Sequence, residues 1–431
     1  MKNSGIEWIG EIPDSWKLVN IGNVLKEHKQ ENKMLDTRAL QFKYGTIVPK
    51  KELNLTQDAL DILTKYNVVS PNIIMVNGLN LAFDFVTQRV ALVKENGVIT
   101  STYIALAPQE LIVPEYATYT LKAFDSQKVF HSLGRGLRCM LSYDVIKREK
   151  MPLPSLAVQR SIVNCLVQKL GEVDKLIEVQ QAQIDKLKEY KQSVITEAVT
   201  KGLDPTVPMK DSGVEWIGMI PESWNVMRLK NAIESHFSGC WGEEPSEDDG
   251  ILCIRIADFD FGKQIIKSSA STKRRYSTAQ LEKGLLQDGD LILEKSGGGE
   301  KTSVGRVVVF EQKKFPDKAM FANFSECLRV KRQLHNEKYC AYLLKALYYT
   351  KDMSCFYHQT TGIQNLDIAE YLSMNLCFPS QKEQDLIVAC LDKKLVEIDK
   401  LISIKQSKID KLQEYKKSLI YEYVTGKKEI V

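Results

Sequence analysis

The sequence predicts an α+β protein in which two globular α/β domains are separated by two long antiparallel helices that form a coiled coil. Three observations support this prediction. A tryptophan-containing motif near the amino terminus recurs in the second half of the chain. A long segment with heptad patterning also occurs twice, and the segments between these repeats differ from each other while carrying short β-branched runs. The chain should therefore be an internal repeat with a pseudo-two-fold axis.

Composition is typical of a folded protein with more than one domain, because 44% of the 431 residues are apolar and 26% are charged. The net charge of +4 is too small to indicate nucleic-acid binding by itself. No apolar run approaches the roughly 18 to 20 residues of a membrane span, and the start lacks the apolar core of a signal peptide, so we expect a cytoplasmic protein. Nine scattered cysteines without zinc-ligand spacing predict free, mostly buried thiols.

The repeat defines the domain boundaries. The motif SGIEWIGEIPDSW at residues 4–16 recurs as SGVEWIGMIPESW at residues 212–224, with ten of thirteen positions identical. Residues 154–200 match residues 379–425 in the same way. The segments between hardly resemble each other, and the second is 17 residues longer. These features predict a first α/β domain at 1–153, a first helix at 154–204, a second α/β domain at 205–378 and a second helix at 379–431.

Similar halves with dissimilar inserts suit a scaffold that presents two different binding surfaces in one geometry. The alternative is an old duplication that has drifted. Drift alone would have eroded the repeated segments as well, so we favour two domains with different ligands.

Both helical segments carry a heptad seam in which eight of ten positions are apolar. The first seam is Leu166, Leu170, Val173, Ile177, Gln180, Ile184, Leu187, Lys191, Val194 and Ala198, and the second is Leu391, Leu395, Ile398, Ile402, Lys405, Ile409, Leu412, Lys416, Leu419 and Tyr423. Ser380 and Glu383 form a capping-box pattern, whereas Gly202 and Gly426 mark the two carboxyl ends. Each helix should span about 40 residues, or roughly 60 Å.

The linker between the first helix and the second motif predicts the orientation of the helices. About a dozen residues reach roughly 40 Å at most, which is too short for the chain to return along a helix of that length. The helices should therefore pair antiparallel within one chain. A dimerisation zipper between two chains is the alternative, although two matched copies in one chain favour the internal pair.

Both inserts contain short β-branched and aromatic runs between turn residues, which predicts a mixed α/β domain with a substantial sheet in each. In the second insert, KSGGGEKTS at residues 295–303 joins two such runs and carries glycines, hydroxyls and lysines suited to a phosphate backbone. It is not a nucleotide-binding P-loop, because Glu300 stands where glycine must precede the lysine and a strand follows. A hairpin tip without a ligand is the alternative.

Near the end of each insert, glycine precedes polar side chains, in GRGLR at 134–138 and TGIQNL at 361–366. Arginine can read guanine edges, and glutamine or asparagine can read adenine edges, in the major groove. The charge run at 273–275 suits phosphates, and a solvated surface is the alternative. The candidate DNA-binding residues are Arg135, Arg138, Lys273, Arg274, Arg275, Lys295, Ser296, Lys301, Thr302, Arg306, Gln364 and Asn365.

The catalytic motifs of DNA-modifying enzymes are missing from the sequence. It contains no N-P-P-[FY] or D-P-P-[FY] tetrapeptide of an adenine methyltransferase, and no proline-preceded cluster of acids with a lysine typical of a nuclease. Five dispersed histidines provide no obvious triad. We therefore predict a binding protein rather than an enzyme.

Over essentially its whole length, the chain resembles the specificity subunit of Type I restriction-modification systems. The resemblance rests on the repeated S-G-x-E-W-I-G-x-I-P-x-S-W motif, on the glycine-plus-polar segments at Gly136 and Gly362, and on PSQKEQ at 379–384. The segments VNGL at 76–79 and GVITS at 97–101 are also similar to target-recognition domains of this family. Asn77 therefore joins the DNA-binding candidates.

This resemblance implies that each α/β domain reads one half of a bipartite double-stranded DNA site, with the helices setting the gap. It implies two methyltransferase subunits that use S-adenosylmethionine, and restriction-translocase subunits, while this chain itself carries no cofactor, catalytic residue or metal. Gln159, Glu383 and Gln384, at the helix starts, are the partner-binding candidates. Val158 departs from the repeat, because the second copy has Glu383 there. A stand-alone DNA enzyme and a protein-binding adapter are the alternatives.

Overall fold

The computed structural model describes residues 1–33, 36–43, 45–50, 56–85, 87–134, 136, 139–246, 250–298, 302–315, 317–349, 352–360 and 362–429. The chain divides into two compact units, unit 1 (Met1–Ala182 with Lys405–Val431) and unit 2 (Gln183–Ile404). These units differ from the four predicted segments, because each contains part of both long helices. The end portions of both helices pack into the hydrophobic cores of the two units.

Unit 1 is built on a four-stranded antiparallel sheet. Its strands are, in spatial order, Leu25–Glu27, Ile104–Pro108, Ile74–Val76 and Val90–Leu92. The other strands of the unit pair in twos and are Lys2–Asn3, Glu11–Ile12, Lys17–Asn20, Leu40–Lys43, Thr46–Pro49, Tyr66–Val69, Gly97–Thr100 and Lys150–Leu153. Its shorter helices are Ile21–Val24, Gln57–Thr64, Pro114–Ser126, Val129–Leu133 and Tyr143–Ile146.

Unit 2 contains a six-stranded sheet, which in spatial order is Ile233–Ser238, Ser325–Val330, Leu291–Glu294, Val307–Val309, Ile265–Ile266 and Phe259–Asp260. Two three-stranded sheets accompany it, Lys273–Arg274 with Ile251–Ile254 and Ala319–Phe321, and Ser296–Gly297 with Ile363–Leu366 and Tyr357–Thr360. Two two-stranded sheets complete the unit, Met209–Asp211 with Met219–Pro221 and Asn225–Arg228 with Asn375–Phe378. The shorter α-helices are Leu229–Ala232, Thr278–Gly284, Glu337–Tyr349 and Ile368–Ser373, and the 3₁₀ helices are Ile256–Asp258, Gln312–Lys314 and Asp352–Phe356.

The long helices are Leu156–Lys201, with 46 residues, and Gln381–Val424, with 44 residues. Most seam positions are buried, as the heptad patterns predict. Both helices are followed by a glycine with positive φ, 76° at Gly202 and 71° at Gly426, as expected of a left-handed carboxyl cap. The capping box forms only in part. Ser380 Oγ accepts from the Glu383 amide at 3.4 Å, but the Glu383 carboxylate is engaged by Trp224.

The helix segments pair antiparallel inside each unit. In unit 1, Cys165 interacts with Tyr423, and Asp174, farther along the first helix, pairs with Lys416, which precedes Tyr423. In unit 2, Gly202 lies beside Glu383, and Lys191 pairs with Asp399 in the same reversed order. The sequence prediction of an antiparallel internal pair is confirmed.

The repeated motif forms the same structure in both units, a two-stranded hairpin followed by a buried tryptophan. In each unit that tryptophan packs against the end of the long helix from the other repeat. A Cβ added at Gly426 would lie 3.2 Å from the Trp16 ring, and one added at Gly202 would lie 3.3 Å from the Trp224 ring. The motif therefore recurs because each copy joins a helix end to a domain core.

The nine cysteines are all free thiols, but they are less buried than predicted. Four are buried, three are partly exposed, and Cys355 and Cys390 are exposed. Among the described residues, no helix is both long enough and apolar enough to span a membrane. Within the same ranges, no cluster of three or more His, Cys, Asp or Glu side chains has an arrangement suited to a metal ion.

Candidate nucleic-acid interface and partner surface

In unit 2, two predicted DNA-binding segments come together, although nearly 70 residues separate them along the chain. Ser296–Gly297 pairs antiparallel with Ile363–Leu366, which places Ser296 opposite Asn365. The Ser296 hydroxyl donates to Asn365 Oδ1 at 2.8 Å, and Asn365 is exposed. Phe324, 49% exposed, lies alongside, because its carbonyl accepts from the amides of Lys295 and Ser296. Hydroxyl, amide, ammonium and aromatic groups thus share one surface of unit 2.

Lys295 is held in place by a buried carboxylate. Its ammonium group donates to Ser238 Oγ at 2.5 Å and to Glu326 Oε2 at 3.2 Å. Glu326 also accepts from Ser238 at 2.7 Å and lies 2.9 Å from the imidazole of His236. Burial alone would raise the pKa of Glu326, but the hydrogen bonds from His236 and Ser238 and the charge of Lys295 lower it. Glu326 is therefore ionised at neutral pH and orients the lysine at the surface.

Gln364 is buried and shapes the glycine-rich loop instead of projecting from it. Its Oε1 accepts from the Val304 amide at 3.1 Å. A Cβ at Gly298 would lie 2.5 Å from that same oxygen, and the φ of Gly298 is +66°. The loop therefore needs glycine for both space and backbone conformation. Thr302, which follows Gly298 in the same segment of the sequence, is exposed.

Arg306 is placed inside the fold. Its guanidinium forms two hydrogen bonds of 2.7 Å to Glu294, which is 1% exposed, and stacks 3.8 Å from the Phe261 ring centroid. This bidentate pair compensates the buried carboxylate. The structure thus gives Arg306 a role in the fold, through its Nε and Nη2 groups.

The charge run at 273–275 is largely neutralised by neighbouring acids. Arg274 pairs with Glu244 and stacks 4.1 Å from the Trp241 ring centroid, and Arg275 pairs with Glu243 at 2.5 Å. Lys273 is exposed. Because two of the three cations have acidic partners, the run offers a phosphate less attraction than its sequence suggests.

Asn77, a DNA-binding candidate in unit 1, starts the loop that follows strand Ile74–Val76. Its Oδ1 accepts from the Leu79 amide at 3.1 Å, as in a local turn. The loop is organised by Arg89, which is fully buried. Its guanidinium donates to three carbonyl groups of this loop. The predicted residues Arg135, Arg138 and Lys301 lie outside the described residues.

Gln159 and Gln384, the partner-binding candidates, are fully buried. Gln159 accepts from the Val113 amide at 2.8 Å and donates to Pro154, and Gln384 accepts from the Asn336 amide at 2.9 Å and donates to Pro379. Each amide thus fastens a long helix to a loop of its domain. Their burial excludes a direct partner contact in this conformation, which corrects the prediction for these two residues.

Glu383, the third partner-binding candidate, is partly exposed. Its carboxylate accepts from the indole Nε1 of Trp224 at 3.0 Å. Val158 at the equivalent position cannot accept such a hydrogen bond, so the two helix starts differ here.

A different set of helix residues is both exposed and repeated. Three pairs of apolar side chains, each related by the repeat, have nearly equal exposed fractions. These pairs are Leu176 (48%) with Leu401 (47%), Val179 (50%) with Ile404 (55%), and Tyr190 (48%) with Tyr415 (49%). Unit 1 contains Leu176, Val179 and Tyr415, and unit 2 contains the three counterparts. We call these six residues the repeated apolar positions. Sequence analysis missed them, although apolar residues outside the seam at one repeat offset were a usable signal.

Comparison with known proteins gives these features a family context. No protein-family model matches the chain. It is 24% identical over 421 residues to the Type I restriction enzyme MjaVIII specificity subunit of Methanocaldococcus jannaschii. This alignment covers 96% of this chain and 93% of that protein. The chain is a homologue of Type I restriction specificity subunits. A second relative, the EcoBI specificity subunit of Escherichia coli, is 32% identical over 136 residues, which covers 28% of this chain and 27% of that one.

The chain also shares its fold with a solved structure, whose subject is the complex assembly and conformational transition of the type I R-M system. The TM-score is 0.66 at 16% identity, and the match covers 96% of this chain and 98% of the other. The α+β class with long helices, predicted from the repeat, is confirmed.

Proposed function

We propose that this chain is the DNA-recognition subunit of a Type I restriction-modification complex, in which each α/β domain reads one half of a bipartite double-stranded target. The observation that carries the proposal is the contrast between the segments that are repeated in both halves of the chain and the inserts that differ. The hairpin, the buried tryptophan and the glutamine at the helix start are repeated in both units, whereas the exposed polar surface of Ser296 and Asn365 occurs in an insert that the other unit lacks. Such a molecule keeps one geometry and recognises two different sequences.

The repeated apolar positions supply the second part of the proposal, which is docking of partner subunits. Exposed apolar side chains that recur on equivalent helix surfaces fit a partner that binds twice. We assign this partner to the methyltransferase subunits, present in two copies, that bind S-adenosylmethionine and carry the methyl-transfer chemistry. Restriction-translocase subunits complete the complex for cleavage, and the cytoplasm is its location. The chain itself recognises DNA and does not catalyse a reaction.

A domain exchange tests the recognition part. Residues 17–153 are replaced by the corresponding insert of a relative with a known target, and the complex is expressed with its methyltransferase. Methylome sequencing should show that one half of the methylated site changes while the other half is retained. A change in both halves, or in neither, contradicts the assignment of one half-site to each domain. Methylation by the purified chain alone would instead support a stand-alone enzyme.

A further inference from the structure

A surface loop of unit 1 exposes two phenyl rings. It connects strand Ile74–Val76 to strand Val90–Leu92, and within it Phe83 is 83% exposed and Phe85 is 56% exposed. Single exposed apolar side chains are common, but two large rings within three residues, both facing water, mark a contact surface.

This loop is held by a buried cation. The guanidinium of Arg89, 0% exposed, donates to the carbonyl oxygens of Asp84 at 2.6 Å, Leu79 at 2.7 Å and Asn77 at 3.2 Å. The Asp84 carboxylate lies 3.6 Å from the same guanidinium and accepts from the Thr87 amide at 2.9 Å. Burying an arginine is costly unless its donors are satisfied, and here most of them are used to fix one loop. The exposed rings are therefore preorganised.

Cationic and titratable groups flank the rings. His131 stacks on Phe85 with centroids 4.8 Å apart and rings inclined by 17°. Lys128 donates to the Phe85 carbonyl at 2.5 Å, and its ammonium group lies 6.0 Å from the Phe85 ring centroid. The acid of this loop, Asp84, is already paired with Arg89.

We propose that Phe83 inserts against a base step of the first half-site and partly unstacks it, while Lys128 binds the adjacent phosphate. This inference rests on the proposed function, because it assigns the DNA contact of the first target-recognition domain. Exposed phenylalanines that kink a duplex by entering between base pairs are an established mode of DNA binding, and neighbouring cations supply the phosphate contacts.

The position of the loop favours DNA over a partner protein. A subunit that docks twice needs a surface present in both halves, whereas this loop belongs to the insert at 17–153, which the second half does not repeat. A ring that stacks on bases also needs cations beside it, as Lys128 provides, because the phosphate backbone is anionic.

The test uses the complete complex of this chain with its methyltransferase subunits, and duplexes of the target found by methylome sequencing. 2-Aminopurine replaces one base at a time in the first half-site, since its fluorescence rises when the base unstacks. The variants are Phe83→Ala and, as a matched control, Leu111→Ala, an apolar residue of the same unit that is 62% exposed.

We expect the unaltered complex to increase the fluorescence at one step, and Phe83→Ala to abolish that increase and weaken binding about ten-fold. Leu111→Ala should behave like the unaltered complex. Equal affinity and equal fluorescence for Phe83→Ala would overturn the inference while leaving the proposed function intact. Loss of subunit assembly without a change in DNA binding would also overturn it, and would assign the loop to a partner protein. Failure of the unaltered complex to distinguish the target from other duplexes would reject the proposed function itself.

Discussion

Lys191 donates hydrogen bonds to both carboxylate oxygens of Asp399, at 2.7 and 2.9 Å, where the two long helices meet in unit 2. The repeat counterparts, Lys416 and Asp174, form the same ion pair in unit 1. The two pairs differ in burial. The Lys191 side chain is 10% exposed and that of Lys416 is 27% exposed. One chain therefore contains a buried and a more exposed version of the same interaction.

Asp399→Asn should lower the free energy of unfolding by about 2 kcal/mol, because it leaves the Lys191 ammonium nearly buried without its counter-ion. Asp174→Asn is the matched control and should cost less than about 1 kcal/mol, since water screens the second pair. Urea denaturation of the full chain, followed by circular dichroism, measures both. Equal losses for the two variants would show that burial does not decide the strength of this ion pair.

Lys345 makes the stability of unit 2 depend on pH. Burial, reinforced by the charge of Lys191, lowers the pKa of Lys345 from 10.5 to about 7, and its ammonium group donates to the Gly262 carbonyl at 2.8 Å. Between these two pKa values the unfolded chain binds more protons at this position than the folded chain does. The contribution of Lys345 to the free energy of unfolding therefore increases as the pH rises from about 7 toward 10.5.

Lys345→Met should remove this increase, and should stabilise the chain most at pH values below 7, where the folded protein otherwise buries a charged ammonium group. The measurement is urea denaturation at several pH values between 6 and 9.5. Lys338→Met, which changes an exposed lysine of the same helix, is the control and should retain the pH dependence. Identical pH profiles for Lys345→Met and the unaltered chain would contradict the assignment.

Gln384 should act on stability and not on partner affinity. Its side chain bonds to the Asn336 amide, the Pro379 carbonyl and His335, so Gln384→Ala leaves buried polar groups unsatisfied. We expect a loss of about 2 to 4 kcal/mol in the free energy of unfolding. Gln406→Ala, at an exposed position of the same helix, should cost less than about 0.5 kcal/mol. A folded Gln384→Ala chain that fails to bind the methyltransferase would revive the direct-contact interpretation.

The repeated apolar positions predict where the methyltransferase docks. The double variant Leu176→Gln with Leu401→Gln should weaken assembly at least about ten-fold, because each change replaces apolar interface area with an amide. Lys175→Gln with Lys400→Gln changes the preceding, exposed residue of each helix and is the control. Analytical ultracentrifugation of the mixed subunits gives the affinities. Unchanged assembly in the first variant would rule out this surface as the docking site.

Asn365 should contribute to base reading in the second half-site only. Its exposed amide, oriented by Ser296, is suited to an adenine edge, and loss of such a contact costs about 1 to 3 kcal/mol of discrimination. Asn365→Ala should therefore relax the methylated sequence at one position of that half. Thr302→Ala, on the same loop, provides a comparison at an exposed hydroxyl. An unchanged methylome in Asn365→Ala would remove this residue from the DNA interface.

The candidate site could be predicted only in part, because local patterns identify residue types and not their neighbours. The sequence singled out Ser296 and Asn365, and the structure pairs them across a strand. It also singled out Arg306 and Gln384 for ligands, yet each compensates a buried group of the chain itself. An arginine or glutamine suited to DNA or a partner is equally suited to a buried carboxylate or amide, and only the fold distinguishes these uses.

The sequence by itself determined the internal repeat, the two long helices, their buried seams and their antiparallel pairing, because heptad periodicity and linker length are local properties of the chain. Only the tertiary structure decided which polar residues remain at the surface, which of the two ion pairs is buried, and how Arg89 presents Phe83 to solvent. These features depend on contacts between residues far apart in sequence. Burial sets the free-energy cost of an unpaired polar group, and a side chain is buried only once those contacts have formed.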